Sequence, residues 1–383
     1  NTDTESFRDF VLPLNQPEQL LRNSGEPDRT VKPDAASRFA HYQSLSDGNI
    51  SSGSSNRIIP APYYNNLTSQ RFTLNNSWQL AFEPSAVDES KYLQQQLHEL
   101  YQLSLQTTED HQVQQHQIRL QLQPDMTSGP ESYQLLLEPE HIMITGYDNA
   151  GLFYGVQSLL ALLDNPQTRL TLPTGIIEDK PRATWRGLHY DMARNFHGKD
   201  VTLRLIEQMG RYKLNKLHLH LTEDEGWRLE IPGLPELTEL GAFRCFDLTE
   251  QQCLLTQLGT GSHRSGSGNG FYSVSDFIEI LQYARQHHIE VIPEIDLPGH
   301  ARAAIKAMEL RYQRLTAQKK PAEASQYLLS DPEDTSQYLS VQNYTDNAVN
   351  VCRESTYHFI EKITDALQQM YQQAGLKLNI LHI

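Results

Sequence analysis

The sequence has no apolar run approaching the roughly 20 residues of a membrane-spanning helix, and no stretch with the make-up of a secretory leader. It also lacks a basic excess. Thirty-two Lys and Arg stand against 47 Asp and Glu, a formal net charge of −15 with no basic patch. That balance argues against a nucleic acid or an anionic membrane surface as partner. The acidic charge is spread thinly and reads as a solvated surface rather than a binding tail. Cysteine is scarce: Cys245, Cys253 and Cys352 are the three, with no second pair at zinc-ribbon spacing. Cys245 and Cys253 bracket the polar stretch "CFDLTEQQC" and fit a disulfide closing a small loop, yet three scattered thiols suit a cytosolic protein equally well. No glycine-rich phosphate loop follows the apolar strand "WRGLHYDMA", which runs into "RNFHGKD" and disfavours a nucleotide fold.

What is present divides the 383 residues into three parts. Residues 1–56 have little periodicity, and "NSGEPDRTVKPDAAS" and "SDGNISSGSSN" are turn and linker composition. They read as the tail of an upstream module plus a linker. The chain opens on Asn1 rather than Met, which implies a processed or cut N-terminus. Residues 57–180 form a small α/β unit: "RFTLNNSWQLAF" and "HQIRLQLQP" alternate as strands do, "ESKYLQQQLHELYQLS" has helical spacing, "ESYQLLLEPEHIMITGY" reads as two strands about the turn "EPEH", and "AGLFYGVQSLLALLD" is a helix with a broad apolar face. That unit has no clustered His, Cys or paired acids, so its reading is structural.

From residue 181 the rhythm becomes strand and helix in alternation. The strands are "WRGLHYDMA", "NKLHLHLTE", "EVIPEIDL" and the terminal "LNILHI"; the helices are "DVTLRLIEQMGRYK", with Leu205, Met209 and Tyr212 on one face, "SVSDFIEILQYARQHH", opened by a capping-box-like Ser273 and Asp276, "ARAAIKAMELRYQRL" and "STYHFIEKITDALQQMYQQAG". Near-continuous apolar strands alternating with helices imply a parallel sheet buried on both faces. Polar residues collect at the C-terminal ends of these strands, where barrel active sites lie, so the expected fold is a (β/α)8 TIM barrel, of which 181–383 supplies the N-terminal half.

Candidate chemistry sits at those strand ends. Arg186 adjoins the first strand, either salt-bridged to an acid such as Asp191 or offering a fork of donors to substrate hydroxyls. His218 and His220 share one strand face. Either they are core imidazoles with acid or backbone partners, or with Asp296 and His300 they hold a divalent metal in a metal-dependent barrel hydrolase. Glu223, Asp224 and Glu225 crowd three carboxylates beyond the second strand. Glu294 and Asp296 share a face of the third, and a Pro-Gly turn can fold His300 back toward them. A carboxylate held against an imidazole fixes its tautomer and favours its charged form.

The stretches "RGLHYDMARNF", "KLNKLHLHLTEDEGWRLEIPGLPELTELGAFRC" and "VIPEIDLPGHARAAI" resemble the β-N-acetylhexosaminidases of glycoside hydrolase family 20, most closely the bacterial chitobiase branch. The resemblance runs over about residues 57–383, with 57–180 similar to the family's non-catalytic domain. It implies a retaining exo-glycosidase that removes terminal N-acetylglucosamine or N-acetylhexosamine from chitobiose and chito-oligosaccharides, the substrate's own 2-acetamido oxygen attacking the anomeric carbon. It implies no cofactor and no catalytic metal. Arg186 matches an arginine that binds sugar hydroxyls. His300 matches a histidine that sets the proton affinity of the catalytic acid and is held by an acid of the second-strand loop. That acid is usually Asp, whereas this chain has Glu223 followed by Asp224, so either residue fits the role. Asp296 is a further supporting acid, and Trp227 reads as structural. Cys245 and Cys253 match positions that are disulfide-bonded in the chitobiase branch, which implies a periplasmic or secreted protein, and Cys352 has no obvious partner.

In the family the fourth strand runs into a Gly-Gly-Asp-Glu segment that carries the catalytic pair, and this sequence stops at Ile383. The expectation is a chain that lacks the Asp-Glu pair and the C-terminal half of the barrel, and that is inactive alone. Besides the metal-dependent hydrolase, a non-catalytic glycan-binding protein remains as an alternative.

Overall fold

The computed structural model describes residues 38–40, 43, 57–108, 115–163, 170–256 and 260–383. The chain divides into a unit of residues 1–56 and a unit of residues 57–383. In the first, residues 38–40 and 43 are helical, and the remainder of the expected linker lies outside the described residues.

The second unit begins with a seven-stranded mixed sheet. Its strands are β1 (Tyr64–Thr73), β2 (Gln79–Phe82), β3 (Gln106–Thr108), β4 (Gln117–Leu122), β5 (Tyr133–Leu137), β6 (His141–Gly146) and β7 (Thr171–Asp179), in the order β1-β7-β5-β6-β4-β2-β3. Helices α1 (Val87–Tyr101) and α2 (Asn149–Leu162) accompany the sheet. The turn at "EPEH" closes β5 and β6 by a bond from Glu138 N–H to the His141 carbonyl, 2.9 Å. α2 is apolar nearly all round, and it is buried between the sheet and the helices that follow. β1 and β7 are longer than their sequence signal. In β1 the positions of Asn66 and Thr68 face solvent, and pairing with β7, which in turn pairs with β5, holds it extended.

Beyond Pro181, three parallel strands lie in the order β14-β9-β8: β8 (Gly187–Asp191), β9 (Lys216–His220) and β14 (Glu290–Glu294). Helix α3 (Lys199–Arg211) joins β8 to β9. A long segment carries β10 (Thr222–Glu223), β11 (Gly226–Trp227), α4 (Glu236–Glu239), β12 (Arg244–Cys245) and β13 (Leu254–Leu255), and α5 (Val274–Gln286) then leads into β14. α6 (Arg302–Ala317), α7 (Pro321–Ser325) and α8 (Glu354–Gln373) follow. Ser273 caps α5 in a full capping box with Asp276, as its sequence predicts. On α3 the buried positions are Thr202, Ile206, Met209 and Gly210; Tyr212, expected on the apolar face, is at the helix end and half exposed.

Two expectations differ. The sheet is not buried on both faces: β8 is exposed or half-buried throughout, and one face of the sheet displays imidazoles instead of aliphatic side chains. As expected for the N-terminal half of a (β/α)8 barrel, the sheet does not close among the described residues. The terminal segment, read as a buried fourth strand, joins the sheet by a single bridge between His382 and Glu294, with Ile380 and Ile383 exposed. Two backbone bonds hold it, His382 N–H to the Pro293 carbonyl and Ile295 N–H to the His382 carbonyl, both 3.0 Å.

Candidate active site at the strand ends

Residues at the C-terminal ends of β8, β9 and β14 converge on Glu223. Parallel register sets Asp191, His220 and Glu294 side by side as the last residues of their strands. Glu223, in the two-residue strand β10 just beyond β9, is 2 % exposed. Its Oε2 receives His300 Nδ1 at 3.0 Å and the Asp224 backbone N–H at 2.8 Å, and its Oε1 receives Arg194. His220 Nε2 lies 3.5 Å away. Burial alone would push the Glu223 carboxyl up. His220, the Asp224 N–H, Arg194 and His300 outweigh it, and the net shift is downward, so Glu223 is an anion.

The structure separates Glu223 from Asp224. His300 stands 3.9 Å from the Asp224 carboxylate, which instead receives Asn347 Nδ2 at 2.9 Å and the Arg302 backbone N–H at 3.1 Å. The longer side chain at 223 therefore reaches the imidazole, and Asp224 ties down the segment before α8. Burial, with repulsion from Glu223, raises the Asp224 and Glu225 carboxyls. The Pro-Gly turn folds His300 back as expected, and His300 adopts φ of +53°, a left-handed conformation unusual for a side chain of its size.

Glu294 and Asp296 titrate in opposite directions. His220 Nδ1 lies 2.9 Å from Glu294, and this charge with the His189 contact overcomes burial and lowers the Glu294 carboxyl. Asp296, 3.8 Å from His220 Nε2, is raised by burial and by Glu294. His220 is pushed up to about 9: burial opposes its charge, but Glu223, Glu294 and Asp296 surround it.

Arg186 is not part of this cluster. It precedes β8 at the N-terminal end, and its guanidinium donates to the Lys213 carbonyl (2.7 Å), the Ala183 carbonyl (2.8 Å), Tyr154 Oη (3.0 Å) and Glu131. There it lines a cavity of about 210 Å³ with Tyr133, Asp179 and Lys213. The strand's own length, at about 3.3 Å per residue, keeps it from the carboxylates at the other end. The expected contact of Arg186 with substrate hydroxyls does not fit this position. The arginine at the site is Arg194, which donates to Asp191 Oδ2 at 2.6 Å and to Glu223, and its side chain remains 37 % exposed. Its signal was available in "DMARNF": a cation three residues beyond the end of the first strand lies on the face where barrel chemistry occurs.

The set His218, His220, Asp296 and His300 does not converge as one group. Three smaller groups within 4.8 Å do so: His189, His218 and Glu294; His220, Glu294 and Asp296; Glu223, Asp296 and His300. Trp227 is structural, 1 % exposed, with its indole N–H on the Leu229 carbonyl at 2.6 Å. Cys245 and Cys253 form a disulfide, and Cys352 is a free, exposed thiol. The disulfide loop is tied to the site: Glu250 accepts both Arg302 Nη1 (2.8 Å) and Nη2 (2.6 Å), and Arg302 Nε donates to Asp346 at 2.8 Å.

A buried carboxylate fixed between an imidazole and a guanidinium lies here at the C-terminal ends of parallel strands, where the active sites of barrel scaffolds sit. Comparison with known proteins agrees. Residues 184–383 match the glycosyl hydrolase family 20 catalytic domain, and residues 55–180 match glycosyl hydrolase family 20 domain 2. The chain belongs to glycosyl hydrolase family 20. It is 52% identical over 266 residues to β-hexosaminidase B of Pseudoalteromonas piscicida, covering 70% of this chain and 34% of that protein. It is 51% identical over 252 residues to N,N'-diacetylchitobiase of Vibrio harveyi, covering 66% of this chain and 28% of that one. The structure of an exo-β-N-acetylglucosaminidase from Vibrio harveyi in complex with N-acetylglucosamine superposes with a TM-score of 0.71 at 31% identity, over 83% of this chain and 45% of that one. The chain spans about a third of the length of the curated relatives it matches.

Proposed function

We propose that this chain serves a retaining β-N-acetylhexosaminidase that removes terminal N-acetylglucosamine from chitobiose and related oligosaccharides. The carrying observation is the line Arg194–Glu223–His300 at the strand ends. In this reading the 2-acetamido oxygen of the substrate attacks its own anomeric carbon, and a carboxylic acid protonates the departing oxygen. The pair that does this, an Asp orienting the acetamido group and the Glu acid, belongs to the segment that follows the family's fourth strand, which corresponds here to residues 378–383.

The residues in hand supply the positioning half. Glu223, held anionic, orients His300 through Nδ1 and leaves Nε2 free to face the catalytic acid and set its proton affinity. Arg194 keeps donors toward solvent beyond its bonds to Asp191 and Glu223, and presents them to sugar hydroxyls. The relatives' names, a hexosaminidase and a chitobiase, support the substrate class. The Cys245–Cys253 disulfide supports an oxidising compartment, periplasmic or extracellular.

The test is release of nitrophenol from 4-nitrophenyl N-acetyl-β-glucosaminide, with the plain β-glucoside as control. The 383-residue polypeptide alone is expected to release none, and release by it would overturn the assignment of the acid. A longer form that includes the Asp-Glu segment is expected to cleave only the N-acetylated substrate. Equal cleavage of the plain glucoside would overturn the acetamido mechanism.

A further inference from the structure

On the inner face of the parallel sheet, imidazoles from two neighbouring strands and the terminal segment converge on one carboxylate outside the Glu223 line. His189 of β8 and His218 of β9 are registered partners, Glu294 ends β14, and His382 bridges to Glu294. The distances to the carboxylate are 3.2 Å from His189 Nε2 and 2.8 Å from His218 Nε2, both to Oε2, and 2.9 Å from His382 Nδ1 to Oε1. The rings of His189 and His218 are 4.7 Å apart between centres, and those of His218 and His382 are 4.8 Å apart. We propose that His189, His218, His382 and Glu294 form a binding site for a first-row divalent transition cation of the zinc class.

Three features carry this. A tetrahedral ion with bonds of about 2.0–2.1 Å requires donor atoms about 3.3 Å apart. The donors of His189, His218 and Glu294 lie within 4.8 Å of one another, so small side-chain rotations close that trio, and His382 Nδ1 stands 2.9 Å from the other Glu294 oxygen. Second, buried His218 Nε2 lies 2.8 Å from Glu294 Oε2 yet makes no hydrogen bond of acceptable geometry. A nitrogen and an oxygen in contact without a proton aligned between them suit two ligands aimed at a shared third point. Third, three imidazoles with one carboxylate are the donors of zinc, cobalt and nickel, and a poor set for calcium or magnesium, which take oxygen.

His220 stands between this group and the site, with Nδ1 toward Glu294 and Nε2 toward Glu223. The ion would therefore sit one imidazole away from Glu223. It crosslinks β8, β9, β14 and the terminal segment, and the inference holds whether or not the glycosidase reading does.

The test is zinc titration of the untagged chain after chelator treatment, in a Cys352→Ser background that removes the exposed thiol. One ion per chain should bind saturably and raise the melting temperature, and cobalt should give the visible bands of a four-coordinate nitrogen and oxygen site. His189→Ala and His382→Ala, both at half-exposed positions, should each weaken binding by at least about tenfold, since losing even an outer-shell partner costs that much. Far-ultraviolet circular dichroism in chelator checks that each variant folds. Absence of saturable binding to the wild-type chain, or unchanged binding in both folded variants, would overturn the proposal.

Discussion

Replacing Glu223 with Gln removes one charge from a buried position while keeping volume and polarity. Breaking a buried ion pair by removing one partner costs about 3–5 kcal/mol when the other charge is stranded. Here each partner keeps an alternative: Arg194 retains Asp191 and is 37 % exposed, His220 retains Glu294 at 2.9 Å, and His300 is 39 % exposed. The expected loss is therefore nearer about 2 kcal/mol, or about 4–8 °C in melting temperature for a domain of this size. The pH dependence identifies the cause. The Glu223 carboxyl is lowered on folding from its ordinary 4.5, so its stabilisation is fully present above that value and is lost as pH falls through the lower folded value. Thermal melts of wild type and Glu223→Gln at pH 7.5, 5.5 and 4 should show a gap that is constant at the two higher values and begins to close at the lowest. Glu223→Asp keeps the charge but withdraws it by one methylene from His300, and should lose about half as much. A gap independent of pH down to the acid limit of the fold, or no gap at pH 7.5, would refute the charge argument.

Arg186→Ala should destabilise by about 2 kcal/mol, because it frees two carbonyls and leaves Glu131 with the Asn215 Nδ2 bond but no cation, while leaving sugar binding unchanged. Urea unfolding and a ligand titration on one preparation check both halves. Replacing Cys245 and Cys253 by Ser should cost about 2.5 kcal/mol through loss of loop closure, and adding reductant to the wild type should reproduce that loss in a melting experiment. Ser273→Ala removes the capping box of α5 and should cost about 1 kcal/mol in the same unfolding assay.

The alternation of strand and helix from residue 181 was legible because each element carries its own period. The α5 cap was legible because Ser273 and Asp276 are local in sequence. The pairing of His300 with an acid of the second-strand loop followed from motif order, but the choice of Glu223 over Asp224 did not. That choice depends on Asn347, 123 residues away, occupying Asp224. Arg186 was misplaced because sequence shows that an arginine adjoins a strand without showing which end of the sheet its side chain serves, and Glu131 and Tyr154 of the α/β unit decide that. The terminal segment reads as a buried strand by composition, yet a strand needs a neighbour along its length. Here His382 alone makes the bridge. The short strands β10 to β13 have no periodic signal at two residues each and exist through tertiary contacts such as the bond from Trp227 N–H to the Gly241 carbonyl, 2.8 Å.

We propose that the strand-end cluster around Glu223 binds the sugar of the substrate, with Arg194 and not Arg186 meeting its hydroxyls. Ligand-observed NMR of N-acetylglucosamine in the presence of the chain tests it most directly, because it detects weak binding without requiring turnover. Saturation transfer to the sugar ring protons is predicted, retained in Arg186→Ala and abolished in Arg194→Ala. Transfer that survives Arg194→Ala and disappears in a folded Arg186→Ala protein would overturn the assignment of Arg194.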